Sequence, residues 1–139
     1  GELANLYLED VKIDFLYIRN YESHPARKIP LNKAVKKALD SYLEIRPKTK
    51  SKHLFITKTG KPFLIRNIRS TVNRYFKLAG IENAKVNDLR HTFIAHQLRA
   101  GTPLILVSKL TGHKRLSTTE KYLTLIKKTS GEKFKLEEL

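Results

Sequence analysis

Three glycines, Gly80, Gly101 and Gly112, divide the second half of the sequence into segments with helical periodicity. From 64 to 79, apolar side chains recur at the three- and four-residue spacing of one helix face: Ile65, Ile68, Val72, Tyr75, Phe76 and Ala79. Gly80 follows directly, and glycine is the preferred residue where a helix ends in the left-handed conformation. The sequence therefore predicts a helix that ends at Gly80.

Two further helices are predicted downstream. The first begins near Asn87, a good N-cap residue, and ends at Gly101. We expect it to bury one stripe of side chains: Leu89, Phe93, His96 and Ala100. Thr102 and Pro103 are an N-cap residue followed by a first-turn proline, and they predict a very apolar, buried helix, LILVSKL, that ends at Gly112.

The first half of the sequence predicts a small sheet and one more helix. VKIDFLYI, residues 11 to 18, alternates apolar and polar side chains as a half-buried strand does. RKIPL can return as a second strand, which makes a hairpin with its loop at 19 to 26. A helix from 31 to 46 follows, with one apolar face: Val35, Ala38, Leu39, Tyr42 and Leu43. HLFIT, residues 53 to 57, predicts a short third strand, so we expect a mainly α fold with a small antiparallel β-sheet (α+β).

Charge and composition limit the class of protein. The chain has 28 Lys and Arg against 13 Asp and Glu, a formal charge of +15 spread along 139 residues. Such a charge favours a nucleic acid partner, because cations that neutralise phosphates release counterions; a merely soluble, highly charged surface is the alternative. No apolar run approaches the length of a membrane span, and the chain has no cysteine, which suits an intracellular protein. With no linker or internal repeat, 1–139 is interpreted as a single domain.

Arg90, His113 and Tyr122 lie on three closely connected elements of this predicted fold. Residues 117 to 120, STTE, have capping-box spacing, which places Tyr122 in the first two turns of a short helix, and His113 falls in the turn before it. A tyrosine oxygen that attacks a phosphodiester builds negative charge on the non-bridging oxygens, and a guanidinium can hold two of them. Histidine can donate to the same phosphate or relay the tyrosine proton, and no metal is needed if arginines supply the positive charge.

Each of these residues also has a structural interpretation. Asn87 can be a helix cap, Arg90 an ion-paired surface residue, Tyr122 a core residue and His113 an ordinary turn residue. His91 and His96 do not suggest a shared metal, because five residues on a helix turn them about 140° apart. We expect His91 to support the arginine or the core.

Three motifs resemble the tyrosine recombinase (phage integrase) family. NDLRHTF, VSKLTGH and STTEKY are similar, in order, to its patterns H-x-L-R-H-T-F, L-x-x-L-L-G-H and S-x-T-T-x-x-Y, and GELANLYLEDVKID and RKIPL extend the resemblance upstream. The resemblance implies site-specific DNA recombination or integration, without a cofactor, through a 3′-phosphotyrosine. It makes Tyr122 the nucleophile, Arg90 and His113 the phosphate ligands, and Asn87 a subsidiary group. It also implies double-stranded DNA as the partner, and a cytoplasmic protein encoded by a prokaryotic cell or by its mobile element.

The sequence departs from the family pattern at three positions. The family's first catalytic arginine would precede Gly1, so we expect an N-terminally truncated domain that is weak or inactive by itself. Asn87 replaces a histidine, and an amide cannot act as a general base. The loop stretch NYESHPAR has no counterpart of the family's catalytic lysine, and Lys28 is the nearest substitute. A catalytically decayed, recombinase-like DNA-binding domain therefore remains an alternative.

DNA contacts and assembly are further expectations. We expect phosphate contacts from four cations: Lys114, Arg115, Arg66 and Arg69. Residues 89 to 111 also fit a helix-turn-helix transcription factor, although LILVSKL lacks the polar side chains that a recognition helix needs. The tail GEKFKLEEL, 131 to 139, has apolar residues near helical spacing, and we expect it to dock on another protomer of an oligomer on DNA, or on its own domain.

Overall fold

The described residues form a mainly helical fold with a two-stranded antiparallel sheet, which is the α+β class that the sequence predicted. The structure, a computed structural model, describes residues 1–130, with side chains through residue 127. After a short 3₁₀ helix at Leu8–Asp10 the elements are β1 Phe15–Ile18, β2 Arg27–Pro30, α1 Lys33–Ile45, α2 Ile65–Leu78, α3 Val86–Arg99, α4 Leu104–Thr111 and α5 Leu116–Ser130. They form two compact units, Gly1–Thr71 and the part from Val72 onwards, with the boundary inside α2. None of the helices in 1–130 has both the length and the apolar character needed to cross a bilayer.

The predicted hairpin is confirmed, but its first strand is shorter than expected. β1 pairs with β2 from Phe15 opposite Pro30 to Ile18 opposite Arg27, so the loop spans 19–26. Upstream, Val11 folds back to bridge Leu16, and residues 12–14 form a bend instead of a strand. The alternating pattern predicted a half-buried strand there, but Ile13 lies in the bend and is 84% exposed.

The core of the first unit lies between the hairpin, α1 and the segment that follows α1. Its buried side chains are Leu6, Ile18 and Leu54, with several half-buried neighbours: Val11, Leu16, Ile29, Leu39, Tyr42, Leu43 and Phe55. The predicted α1 face therefore packs inward at Leu39, Tyr42 and Leu43, whereas Val35 is exposed. At the start of α1 the Asn32 side chain accepts a hydrogen bond from the Val35 N–H at 2.9 Å, which caps the helix.

The predicted third strand at 53–57 is wrong. That segment forms only isolated bridges, His53 with Tyr7 and Ile56 with Pro62. Side chains satisfy much of its backbone: the Tyr42 hydroxyl donates to the Leu54 carbonyl at 2.8 Å, and the Arg46 guanidinium donates to three carbonyls, those of Ser51, His53 and Leu54. Because Tyr42 of α1 and Arg46, the residue after α1, supply these donors, the segment is held in place without a strand partner along its length.

A buried carboxylate joins the 3₁₀ helix to the end of β1. Asp10 is 2% exposed, and it accepts hydrogen bonds from the Tyr7 N–H at 2.8 Å and from the Arg19 guanidinium at 2.9 and 3.0 Å. Burial by itself would raise the pKa of Asp10, but the hydrogen bonds from Arg19 and Tyr7 and the arginine charge together hold that pKa below its ordinary value. The folded first unit therefore stabilises the ionised form of Asp10.

In the second unit, α3, α4 and α5 pack around one small core. Its buried side chains are Ile94, Leu98, Val107 and Ile126, and several half-buried residues pack against them: Ala95, Leu104, Tyr122 and Leu123. The predicted inward stripe of α3 is wrong, since Leu89 is 52% and Phe93 40% exposed. The helix is rotated so that the faces of Ile94 and Leu98 are buried instead.

The ends of these helices also differ from the prediction. Asn87 is not the N-cap of α3: Lys85 holds that position, and its N–H donates to the Asp88 carboxylate at 2.7 Å. Pro103, one residue after the predicted Thr102, is the N-cap of α4. Ser117 does not cap α5, because the helix begins at Leu116 and continues to Ser130, beyond the short helix expected.

The C-terminal end of α4 matches the prediction, but its burial does not. Gly112 ends the helix in the left-handed conformation, with φ +72°. Val107, Ser108 and Thr111 are buried, whereas Ile105 is 59% and Leu106 46% exposed. The exposed face is thus largely apolar, which argues against base reading by this helix in a helix-turn-helix protein.

Candidate active site

Arg90 projects from α3 to the end of α4. It is half-buried, and its Nη2 donates a hydrogen bond to the Thr111 carbonyl, the last residue of α4. A cation is favoured at that position, because the carbonyl groups at a helix C-terminus carry partial negative charge. The Thr111 hydroxyl in turn donates to the Val107 carbonyl at 2.8 Å, which ties the same turn together. The guanidinium is therefore held in place by backbone of α4.

His113 lies in the turn that joins α4 to α5. The left-handed Gly112 reverses the chain, and the His113 N–H donates to the Ser108 carbonyl at 3.1 Å. The imidazole Nδ1 lies 2.6 Å from the Oγ1 of Thr119, a fully buried residue of α5. Backbone on one side and a buried hydroxyl on the other fix the position of the ring.

Tyr122 completes the cluster from the second turn of α5. Its ring is half-buried beside two imidazoles: the centroid lies 5.7 Å from that of His91 and 6.3 Å from that of His113, which is nearly parallel at 20°. The hydroxyl is 2.6 Å from His91 Nδ1. Burial raises the pKa of Tyr122 above its ordinary value, and the nearby charge of Arg90 opposes part of that rise.

The structure thus brings Arg90, His113 and Tyr122 together, as the sequence predicted. Asn87 is exposed in the first turn of α3, one helical turn before His91. The predicted DNA contacts Lys114 and Arg115 are exposed directly after His113, while Arg66 and Arg69 are exposed on α2 in the other compact unit.

Two residues of the cluster were not predicted as parts of the site. His91 was expected to support the arginine or the core, but it is exposed and contacts the Tyr122 hydroxyl. Thr119 was noted only within a capping sequence, whereas its side chain binds His113. A sequence signal existed for both, because His91 adjoins Arg90 and Thr119 lies three residues before Tyr122, on the same helix face.

The chemistry available at this cluster is that of an anion site beside a nucleophile. A guanidinium and an imidazole can hold an oxyanion, and the phenol can attack it once its proton has a place to go. Among the residues that the structure describes, no group of three or more His, Asp or Glu side chains is arranged to hold a metal ion. Arg90 precedes the buried Ile94 and Leu98 by four and eight residues, so it stands at the start of an otherwise apolar packing face of α3.

Comparison with known proteins gives consistent matches. The model of the phage integrase family matches residues 1–128. The tyrosine recombinase XerC of Staphylococcus carnosus is 32% identical over 127 residues, which cover 88% of this chain and 43% of that protein. The tyrosine recombinase XerA of Pyrococcus horikoshii is 33% identical over 127 residues, covering 88% and 44%. The chain spans less than half the length of these two relatives.

Solved structures agree with the sequence matches. The crystal structure of XerA recombinase superposes with a TM-score of 0.81 at 27% identity, covering 96% of this chain and 52% of that one. A XerH site-specific recombinase bound to a palindromic difH substrate gives a TM-score of 0.75, covering 94% and 39%. At 24% identity the latter similarity is one of fold alone.

Proposed function

Since this chain belongs to the phage integrase family, we propose that it is catalytic-domain sequence of a tyrosine recombinase that carries out site-specific DNA recombination or integration. The observation that carries the proposal is the convergence of Arg90, His113 and Tyr122 from three neighbouring elements. Both compact units are assigned to one catalytic domain. The relatives named as tyrosine recombinases support this assignment.

The proposed reaction is a transesterification through Tyr122. The phenolic oxygen attacks a DNA phosphodiester, forms a 3′-phosphotyrosine bond and displaces the 5′ oxygen; a 5′ hydroxyl of another strand later reverses the step. Arg90 and His113 stabilise the charge that builds on the non-bridging oxygens. Asn87 is a subsidiary donor at the edge of the site. One ester replaces another, so the bond energy is stored and no cofactor is consumed.

Double-stranded DNA is the proposed substrate and partner. A charge of +15 gives the chain a strong, salt-sensitive attraction to phosphates. Lys114 and Arg115 follow His113 directly, so they are proposed to hold the backbone next to the reacting phosphate; Arg66 and Arg69 are proposed as further phosphate contacts.

The C-terminal tail is proposed to link protomers of an oligomer on DNA. The expected docking segment, 131–139, lies outside the described residues, so the proposal rests on its sequence pattern. Removal of residues 131–139 from the full-length protein is expected to reduce assembly on DNA, measured by native gel mobility, while leaving DNA binding by single protomers. Unchanged assembly would contradict the proposal.

A catalytically decayed DNA-binding domain is the second candidate. Two features favour it: Asn87 in place of the family's histidine, and a hairpin loop without lysine. The two candidates differ in whether a covalent protein–DNA adduct forms.

The deciding experiment uses the full-length protein and nicked suicide duplexes that contain its own recombination site, with adducts resolved on denaturing gels. A recombinase gives an adduct that Tyr122→Phe abolishes and Arg90→Ala strongly reduces, since they remove the nucleophile and a charge worth several kcal/mol. Residues 1–139 alone are expected to be weak or inactive. An adduct that persists in Tyr122→Phe contradicts the nucleophile, and no adduct with its own site supports the decayed domain.

A further inference from the structure

The Tyr122 hydroxyl makes a short hydrogen bond to a histidine outside the predicted catalytic set. His91 Nδ1, on α3, lies 2.6 Å from that oxygen, on α5. The two ring planes are tilted by 36° with centroids 5.7 Å apart, so the closest polar contact runs from ring nitrogen to hydroxyl. Resting on the proposed function, we propose that His91 is the group that accepts the proton of Tyr122 when the phenol attacks DNA.

The nucleophile needs such an acceptor. Burial favours the neutral phenol and raises its pKa, and Arg90 offsets only part of that effect. A neutral phenol is a weak nucleophile, so its proton must leave as the bond to phosphorus forms. With the ring proton on Nε2, His91 Nδ1 is an acceptor already in contact with the hydroxyl.

The neighbouring polar groups are placed for other tasks. His113 uses Nδ1 toward Thr119, and its ring lies nearly parallel to the Tyr122 ring. Arg90 is a cation and has no acceptor atom. Asn87 is one helical turn from His91 on the same face of α3, but an amide does not take a proton at neutral pH.

The proton balance closes over one cycle. In cleavage the O–P bond to Tyr122 forms, the P–O5′ bond breaks, its electron pair stays on the 5′ oxygen, and that oxygen takes a proton from water. The phenolic proton then resides on His91 as imidazolium. In rejoining, the incoming 5′ hydroxyl loses its proton to solvent, and His91 returns its proton to the departing Tyr122 oxygen.

Side-chain replacements can separate proton acceptance from hydrogen bonding. His91→Asn places an amide oxygen near the position of Nδ1, so it can keep the hydrogen bond but not take the proton. His91→Ala removes both and leaves space that imidazole from the buffer can enter, since His91 is exposed. His96, exposed on the same helix about 140° away, gives matched controls: His96→Asn and His96→Ala.

The first measurement uses residues 1–139 and needs no activity. In protein labelled with ¹⁵N-histidine, the His91 Nδ1 resonance, assigned through His91→Asn, should have the shift of a hydrogen-bond acceptor. It should move in Tyr122→Phe, whereas the His96 resonances should not. A His91 Nδ1 signal unaffected by Tyr122→Phe would overturn the contact on which the proposal stands.

The second measurement is single-turnover adduct formation by the full-length protein. His91→Asn should lower the rate about 100-fold or more, and imidazole should restore part of the rate in His91→Ala. Both His96 variants should form the adduct at the wild-type rate, and added imidazole should not change that rate. A His91→Asn rate within about twofold of wild type, with Tyr122→Phe inactive, would refute the proton acceptor while leaving the proposed function intact.

A changed leaving group tests the direction of proton transfer. A duplex with sulfur in place of the bridging 5′ oxygen has a leaving group that needs no protonation. The loss in His91→Asn should persist on this duplex. Full recovery would assign His91 to the leaving group and overturn the proposal. An adduct in Tyr122→Phe, by contrast, would indicate failure of the proposed function itself.

Discussion

His113 Nδ1 lies 2.6 Å from the Thr119 hydroxyl, and Thr119 is fully buried. The contact joins the turn after α4 to the start of α5, so the helix that carries Tyr122 also orients the imidazole. When the threonine hydroxyl donates, the ring proton is on Nε2, the tautomer that can donate to a phosphate oxygen. Thr119 is thereby a positioning residue for His113.

Replacing Thr119 should damage both the fold and the site. Thr119→Val keeps the shape of the side chain but leaves the His113 Nδ1 without the hydroxyl, at a cost of about 1–2 kcal/mol in the free energy of unfolding. Chemical denaturation of residues 1–139 measures that cost. Thr119→Ser, which retains the hydroxyl, should recover most of the adduct formation that Thr119→Val loses in the full-length protein. Equal activity of the two variants would contradict the positioning role.

The sequence predicts the features that depend on local conformation, and it fails where packing between helices determines the structure. Gly101 and Gly112 ended their helices where predicted, because a left-handed C-terminal residue is a local requirement that glycine meets. The rotation of α3 was mispredicted because Leu89 and Phe93 offered an apolar stripe as plausible as the one formed by Ile94 and Leu98. Only packing against α4 and α5 decides between them.

That rotation also concealed a member of the site. His91 precedes Leu98 by seven residues and Ile94 by three, so it shares their side of α3 and lies at the edge of the core near α5. A correct phase for the helix would have placed it beside Tyr122. The strand predicted at 53–57 is wrong for a similar reason: carbonyls of this segment accept hydrogen bonds from the Tyr42 and Arg46 side chains, and the local sequence pattern does not show these contacts.

Acid should destabilise the first unit through Asp10. Its folded pKa lies below its ordinary value, so its contribution to stability is complete above the unfolded pKa of about 4 and is lost as the pH falls through the folded pKa. Asp10→Asn should lower the free energy of unfolding by about 2 kcal/mol at pH 7 and flatten its decline below about pH 4.

An exposed carboxylate provides the control for Asp10. Asp14 is 84% exposed and pairs with Lys36 at 3.2 Å, so Asp14→Asn should change stability by less than about 1 kcal/mol. Urea unfolding between pH 3 and 7 measures all three proteins. Equal losses of unfolding free energy in the two variants would show that the buried pair of Asp10 with Arg19 stabilises the protein no more than the exposed pair of Asp14 with Lys36.

DNA affinity should fall steeply with salt. Each phosphate contact that is lost should reduce the slope of log affinity against log salt by about 1, so Lys114→Ala and Arg115→Ala should each flatten it by that amount across unrelated duplex sequences. Lys36→Ala removes the same charge from a residue paired with Asp14 and should leave the slope unchanged. Fluorescence anisotropy at several salt concentrations gives these slopes. A flat dependence in wild type would refute phosphate-driven binding.

Tyr122 should titrate above an ordinary tyrosine, and Arg90 should control by how much. Burial raises the pKa of Tyr122, while the Arg90 charge stabilises the phenolate, so Arg90→Gln should raise that pKa further and Arg90→Lys, which keeps the charge, should change it less. NMR titration of the tyrosine ring carbon next to the hydroxyl measures the pKa in residues 1–139, with the signal assigned by its loss in Tyr122→Phe. The charge that is proposed to hold a phosphate thus also acts on the proposed nucleophile in the protein without DNA. A lower pKa in Arg90→Gln would mean that the guanidinium does not act on the phenol as the structure places it.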